Sequence, residues 1–146
     1  MEAAKQFASR LLWVVLSAVT VLLAGFSGSA LSNEVKVTLS GSQEVPPLTS
    51  SAAGTGTITL RPDKSISGHV TISGMSVTVA HIHEAPPDKN GPIVIPLTRT
   101  SVNVWSVPAG VVVTDSQYES YKAGNLYFNI HSEAHRAGEI RGQIKP

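Results

Sequence analysis

From Val35 onward the chain alternates apolar and polar residues in short runs separated by turn formers. Val35, Val37 and Leu39 fall on one side of the run Val35–Ser40, and Lys36, Thr38 and Ser40 on the other. Side chains on a strand alternate between faces, so this pattern predicts a strand with one buried face. Thr55–Leu60, Ser65–Ser73, Met75–His83, Ile93–Leu97, Val102–Val107, Asn125–His131 and Glu139–Lys145 read as further strands. The turn at Asp63-Lys64 joins two of them as a hairpin. Pro92 and Pro96 cannot donate to a ladder and place Ile93–Leu97 at an edge. Gly41–Ala53, Glu84–Gly91 and Ser132–Gly138 read as loops. Thr114–Ala123 differs: Thr114 or Asp115 can cap a short helix near 115–123, and Gly124 suits its stop.

Composition agrees with strands. After residue 30 there are 13 Val and 9 Ile but only 6 Leu, with 10 Gly and 9 Pro between the runs. β-branched side chains lose rotamer freedom in helices and pack well on a pleated surface. The expectation is one all-β domain over roughly 35–145, an antiparallel sandwich or barrel.

Residues 1–30 read as a signal peptide. Lys5 and Arg10 precede an uncharged run from Leu11 to Phe26, and Gly28-Ser29-Ala30 offers the small residues of a cleavage site. The run is shorter than the roughly 20 residues that span a bilayer comfortably. The expected product is exported, periplasmic or extracellular, with no membrane association after cleavage. The remaining chain carries 9 basic and 9 acidic residues and is formally neutral. With no clustered basic surface, nucleic acid is not an expected partner. There is no cysteine, which excludes disulfides, thiolate metal sites and thiol nucleophiles.

The titratable chemistry near neutrality lies in five histidines. Ala80-His81-Ile82-His83-Glu84 places two imidazoles at i and i+2 of a strand, on one face and about 6.6 Å apart along it. Such a pair can converge on one ion, or can be an ordinary polar face. His131 ends Tyr127-Phe128-Asn129-Ile130-His131 and joins the patch if the two strands are neighbours. Three neutral imidazoles suit copper(II) or zinc. Val77 and Val79 share the parity of His81 and His83, so the strand either crosses from core to rim or carries a bulge. His135, in a loop, is a possible fourth ligand or an exposed residue. His69 opposes the parity of Ile66, Val70 and Ile72 and belongs on the solvent face. Glu84 could accept a proton from a ligand imidazole and orient it. Glu139 and Arg141, on either side of Ile140, read as an ordinary edge ion pair. No nucleophile elbow, phosphate loop or carboxylate pair is present, so hydrolase and nucleotide-binding functions are not expected.

Four segments in order resemble the CHRD domain. They are Leu39-Ser-Gly-Ser-Gln-Glu44-Val-Pro46-Pro47, Ala80-His81-Ile82-His83, Gly124-Asn125-Leu126-Tyr127-Phe128-Asn129-Ile130-His131 and Gly138-Glu139-Ile140-Arg141-Gly142-Gln143-Ile144. That family occurs in chordin and in many secreted bacterial proteins. The resemblance implies an immunoglobulin-like, Greek-key sandwich. His81-Ile82-His83-Glu84 and the loop after it are also similar to the copper-ligating strand end of the copper,zinc superoxide dismutases. That likeness implies His81 and His83 as copper ligands with His131 as a distant third. The bridging histidine, the zinc-loop ligands and the disulfide have no counterpart, so it implies a copper site rather than dismutase activity. Glu44 lies in a family-like loop and is a candidate outer acceptor. The expectation is an exported protein holding one copper ion, or less readily zinc, through His81, His83 and His131. The alternatives are a metal-free structural or protein-interaction module with an unidentified partner and, last, a copper-dependent oxidoreductase.

Overall fold

The computed structural model describes residues 33–146. The expected signal segment lies outside the described residues. The described residues form nine strands in chain order: β1 (Glu34–Ser40), β2 (Ala53–Leu60), β3 (Ile66–Ser73), β4 (Val77–Glu84), β5 (Ile93–Pro96), β6 (Thr98–Arg99), β7 (Val104–Ser106), β8 (Leu126–Ser132) and β9 (Ile140–Ile144). Among the described residues a single 3-10 turn, Gly41–Gln43, follows β1, and one helix, α1 (Asp115–Lys122), precedes β8. All pairings are antiparallel, in one barrel-like sheet of order β5-β4-β8-β9-β1-β2-β3-β7-β6. β1 and β9 meet through one register pair, Ser40 with Arg141. No helix among the described residues is long and apolar enough to cross a membrane.

Alternation builds the core. Val35, Val37 and Leu39 of β1, Ile58 and Leu60 of β2, and Ile66, Val70 and Ile72 of β3 all point inward. They meet Ala80 and Ile82 of β4, Leu126, Phe128 and Ile130 of β8, and Ile140 and Ile144 of β9. The two sides approach closely at Gly56 on β2, where a methyl group would lie 3.0 Å from the Phe128 ring. The helix starts where its cap residue allows. Thr114 accepts from Gln117 N–H, and the Gln117 side chain accepts from Thr114 N–H, closing a capping box. Gly124 follows with φ +73°, a left-handed conformation that favours glycine.

Two local readings are corrected and a third is decided. β9 is an interior strand between β8 and β1, so Arg141 and Glu139 are not an edge ion pair. The Glu139 carboxylate accepts from Ser50 Oγ at 2.7 Å, and Arg141 is buried. The segment expected as one strand over Val102–Val107 is shorter, and a two-residue strand, β6, pairs with it. The valine parity is resolved by a bulge. Val77 pairs with Ser132 and Val79 with His131, leaving Thr78 extra on β4. Val77 therefore packs against the core, while Val79 stands on the outer face beside the histidines, 43% exposed.

Candidate metal centre

The site lies on the outer face of β4 and β8. Ala80 and Ile82 are committed to the core, so His81 and His83 must face outward. On β8 the buried Leu126, Phe128 and Ile130 impose the same outward aspect on Tyr127, Asn129 and His131. The strands are neighbours, with His81 opposite Asn129, His83 opposite Tyr127 and Val79 opposite His131. Each histidine offers a nitrogen, and these atoms all lie within 4.8 Å of one another.

Two of the rings are braced by backbone. His83 Nδ1–H donates to Gly91 O at 2.9 Å, and His131 Nδ1–H donates to Arg136 O at 2.9 Å. A neutral imidazole that donates from Nδ1 carries its lone pair on Nε2. His131 Nε2 stands 3.2 Å from His81 Nδ1 and accepts from it. His83 Nε2 is buried and has no hydrogen-bond partner in the protein. An unpartnered buried acceptor costs about 1–3 kcal/mol. A metal ion or a hydrogen-bond donor would satisfy such a lone pair, and a backbone carbonyl behind a ligand imidazole is one of the means of fixing its tautomer and orientation. The donor set therefore fits a metal ion.

Electrostatics keep the rings neutral. Burial lowers the pKa of His81 below the ordinary histidine value, helped by repulsion from protonated His131 and His83. Burial also lowers His83; the Gly91 carbonyl opposes this, and the charges of His131 and Arg141 add to it. His131 is lowered by burial against the pull of the Arg136 carbonyl. All three shifts favour the unprotonated state that coordination requires.

The other expected residues make no hydrogen bond to the three imidazoles. Glu84 has opposite parity to His83 and accepts a hydrogen bond from Ser120 Oγ of α1. Glu44 is buried and accepts from Asn129 Nδ2 at 2.6 Å, next to the cluster but not on an imidazole. Burial raises its pKa, and the Asn129 bond and Arg141 cation pull it back. His135 is outside the group whose nitrogens gather. His69 is exposed on β3, within 3.4 Å of Thr57 Oγ1.

Sequence reasoning missed the groups behind the histidines. The Tyr127 ring stacks on His83, with centroids 5.1 Å apart and planes 17° off parallel. The Arg141 guanidinium lies 3.5 Å from the centre of the same ring. The available signal was parity: Tyr127 and Asn129 share the phase of His131, and Gln143 shares that of Arg141.

No curated protein and no solved structure matches the chain. The family model of the CHRD domain matches residues 35–144, which spans every strand of the site. The chain, three clustered imidazoles included, therefore belongs to the CHRD domain family.

Proposed function

We propose that the chain is an exported CHRD-domain protein that holds one copper ion, with zinc second, through His81, His83 and His131. The observation that carries this reading is the orphaned Nε2 of His83 beside two other imidazoles whose nitrogens lie within 4.8 Å. The Gly91 and Arg136 carbonyls take the bracing role first expected of Glu84 and Glu44. Purely nitrogen donors without thiolate favour copper(II) over zinc, which follows the general affinity order of these ions. Export rests on the N-terminal sequence. We also read the two groups of strands, β5-β4-β8-β9 and β1-β2-β3-β7-β6, as the halves of the expected immunoglobulin-like Greek-key sandwich. Their single shared register pair supports that division.

Calorimetric titration with copper(II), and separately with zinc, tests the function. The wild type should take up one ion, and His83→Ala should weaken uptake at least tenfold. Equal weak uptake by both proteins would remove the metal reading. The competing reading is a metal-free structural or interaction module. It is favoured by the bond from His81 Nδ1–H to His131 Nε2, which satisfies both nitrogens without an ion.

A further inference from the structure

Arg141 is the bulkiest fully buried side chain among the described residues. No carboxylate lies within ion-pair distance of it among those residues. The carboxylates of Glu44 and Asp88 act on it only from beyond that distance, and a buried cation without a direct ion pair is costly unless its donors are met. Here they are met by one loop and its surroundings. Nη1 donates to Lys89 O at 2.9 Å and Nη2 to Pro86 O at 3.0 Å. Nη2 also donates to Gln143 Oε1 at 2.9 Å, and the guanidinium face rests on Tyr127. The planar fork suits this, because two carbonyls of one loop can be held at once.

That loop ends in Gly91, which faces the cluster in two directions. Its carbonyl accepts from His83 Nδ1–H, and its N–H donates to Tyr127 Oη at 3.1 Å. Tyr127 pairs with His83 on β4 and with Gln143 on β9, and Arg141, two residues before Gln143, reaches the Tyr127 ring diagonally. Arg141 thus reaches His83 by two routes, through the loop backbone to the Gly91 carbonyl and through the Tyr127 ring.

We infer that Arg141 is the positioning residue of the histidine cluster: by clamping the 86–91 loop it locks the His83 ring in one tautomer, with Nε2 left free for a ligand. The purpose of the lock rests on the metal reading proposed above, but the lock itself belongs to the ion-free protein and is tested there. Nitrogen-15 NMR of the ion-free wild type should show His83 as a single Nδ1–H tautomer. Arg141→Lys keeps the cation and gives up the fork. It should let His83 average between tautomers and lower copper(II) affinity at least tenfold, with the His81–His131 bond unchanged. A folded Arg141→Lys protein with His83 still locked overturns the inference.

Should that variant fail to fold, hydrogen exchange on the wild type decides. One clamp requires Gly91 N–H and His83 Nδ1–H to open together with equal protection. Opening of Gly91 a hundredfold more readily than His83 would overturn it. A wild type that shows the lock but takes up neither copper(II) nor zinc supports this inference and sinks the metal reading alone.

Discussion

Gly91→Ala tests the brace behind His83 most directly. The constraint at this position is space. A methyl group there would sit 1.9 Å from Glu84 O, 2.7 Å from Glu84 C and 2.9 Å from Ala85 Cβ. Carbon–oxygen contacts begin near 3.3 Å, so the backbone of residue 91 must retreat by about 1.4 Å. The two nearest obstacles are main-chain atoms of Glu84 and the third is the Ala85 methyl, which has no rotamer to change, so none can swing aside. A retreat of that size breaks the 2.9 Å bond from His83 Nδ1–H and the 3.1 Å bond to Tyr127 Oη. Losing the first leaves a part-buried donor unpaired, at about 1–3 kcal/mol, and losing the second removes about 0.5–1.5 kcal/mol. The lower chain entropy of alanine in the unfolded state returns less than about 1 kcal/mol. The expected loss is about 1–4 kcal/mol, read as a lower urea midpoint at unchanged slope, together with weaker copper(II) uptake. A variant with the wild-type midpoint and wild-type uptake would refute the argument, because it would mean the loop moves without disturbing His83.

Two further outcomes follow from the charges. His81, His83 and His131 all have folded-state pKa values below the ordinary value near 6.5. Between the folded and unfolded values the unfolded chain binds more protons, so stability is full above about pH 6.5 and falls as pH drops, by up to about 1.4 kcal/mol per pH unit for each group. Urea midpoints at pH 7.5 and 5.0 should show that fall, and a triple replacement by Gln should flatten the part of it that these groups cause. Glu44 is the opposite case: burial raises its pKa, so its charge opposes folding at neutral pH, while Asn129 Nδ2 still has an oxygen to bond if the charge goes. Glu44→Gln should be neutral or slightly stabilising at pH 7 by the same assay; a loss above about 1 kcal/mol would show that the carboxylate charge itself holds the Arg141 side of the fold.

The strands were legible because each buries one face. Val35, Val37 and Leu39, or Leu126, Phe128 and Ile130, declare their inward phase in sequence. Once that phase is set, His81, His83 and His131 can only look outward. The i, i+2 pair was readable for the same reason. What sequence did not disclose is that this outward face is itself covered. Every residue of β8 is buried, polar ones included, because the loops after β1 and β4 fold across it. Asn90 Nδ2 ties those loops together through Val45 O. Alternation predicts which residues share a face and nothing of what a distant loop lays over it. Arg141 accordingly looked like an edge residue. Its burial depends on the carbonyls of Pro86 and Lys89, whose orientation is a tertiary matter. β6 escaped because two residues are too few to show a period.

The three imidazoles are not equivalent, and the difference shapes how an ion could enter. Nitrogens at about 2.0–2.1 Å from one ion, at tetrahedral to trigonal angles, lie about 3.3–3.6 Å apart. His81 Nδ1 and His131 Nε2 are already at 3.2 Å, and no pair in the group exceeds 4.8 Å. Closing the remainder needs a movement of about 1.5 Å or less, which must come from the least restrained ring. His83 is held by Gly91 and Tyr127, and His131 by Arg136. His81 has no backbone bond to its ring; its partner is His131 alone. If an ion were held there, it would take the place of the proton between them, and His81 would carry that proton on its outer nitrogen instead. No net proton leaves the pair. Two restrained rings and one free to turn would let the cluster grip an ion by a single ring adjustment.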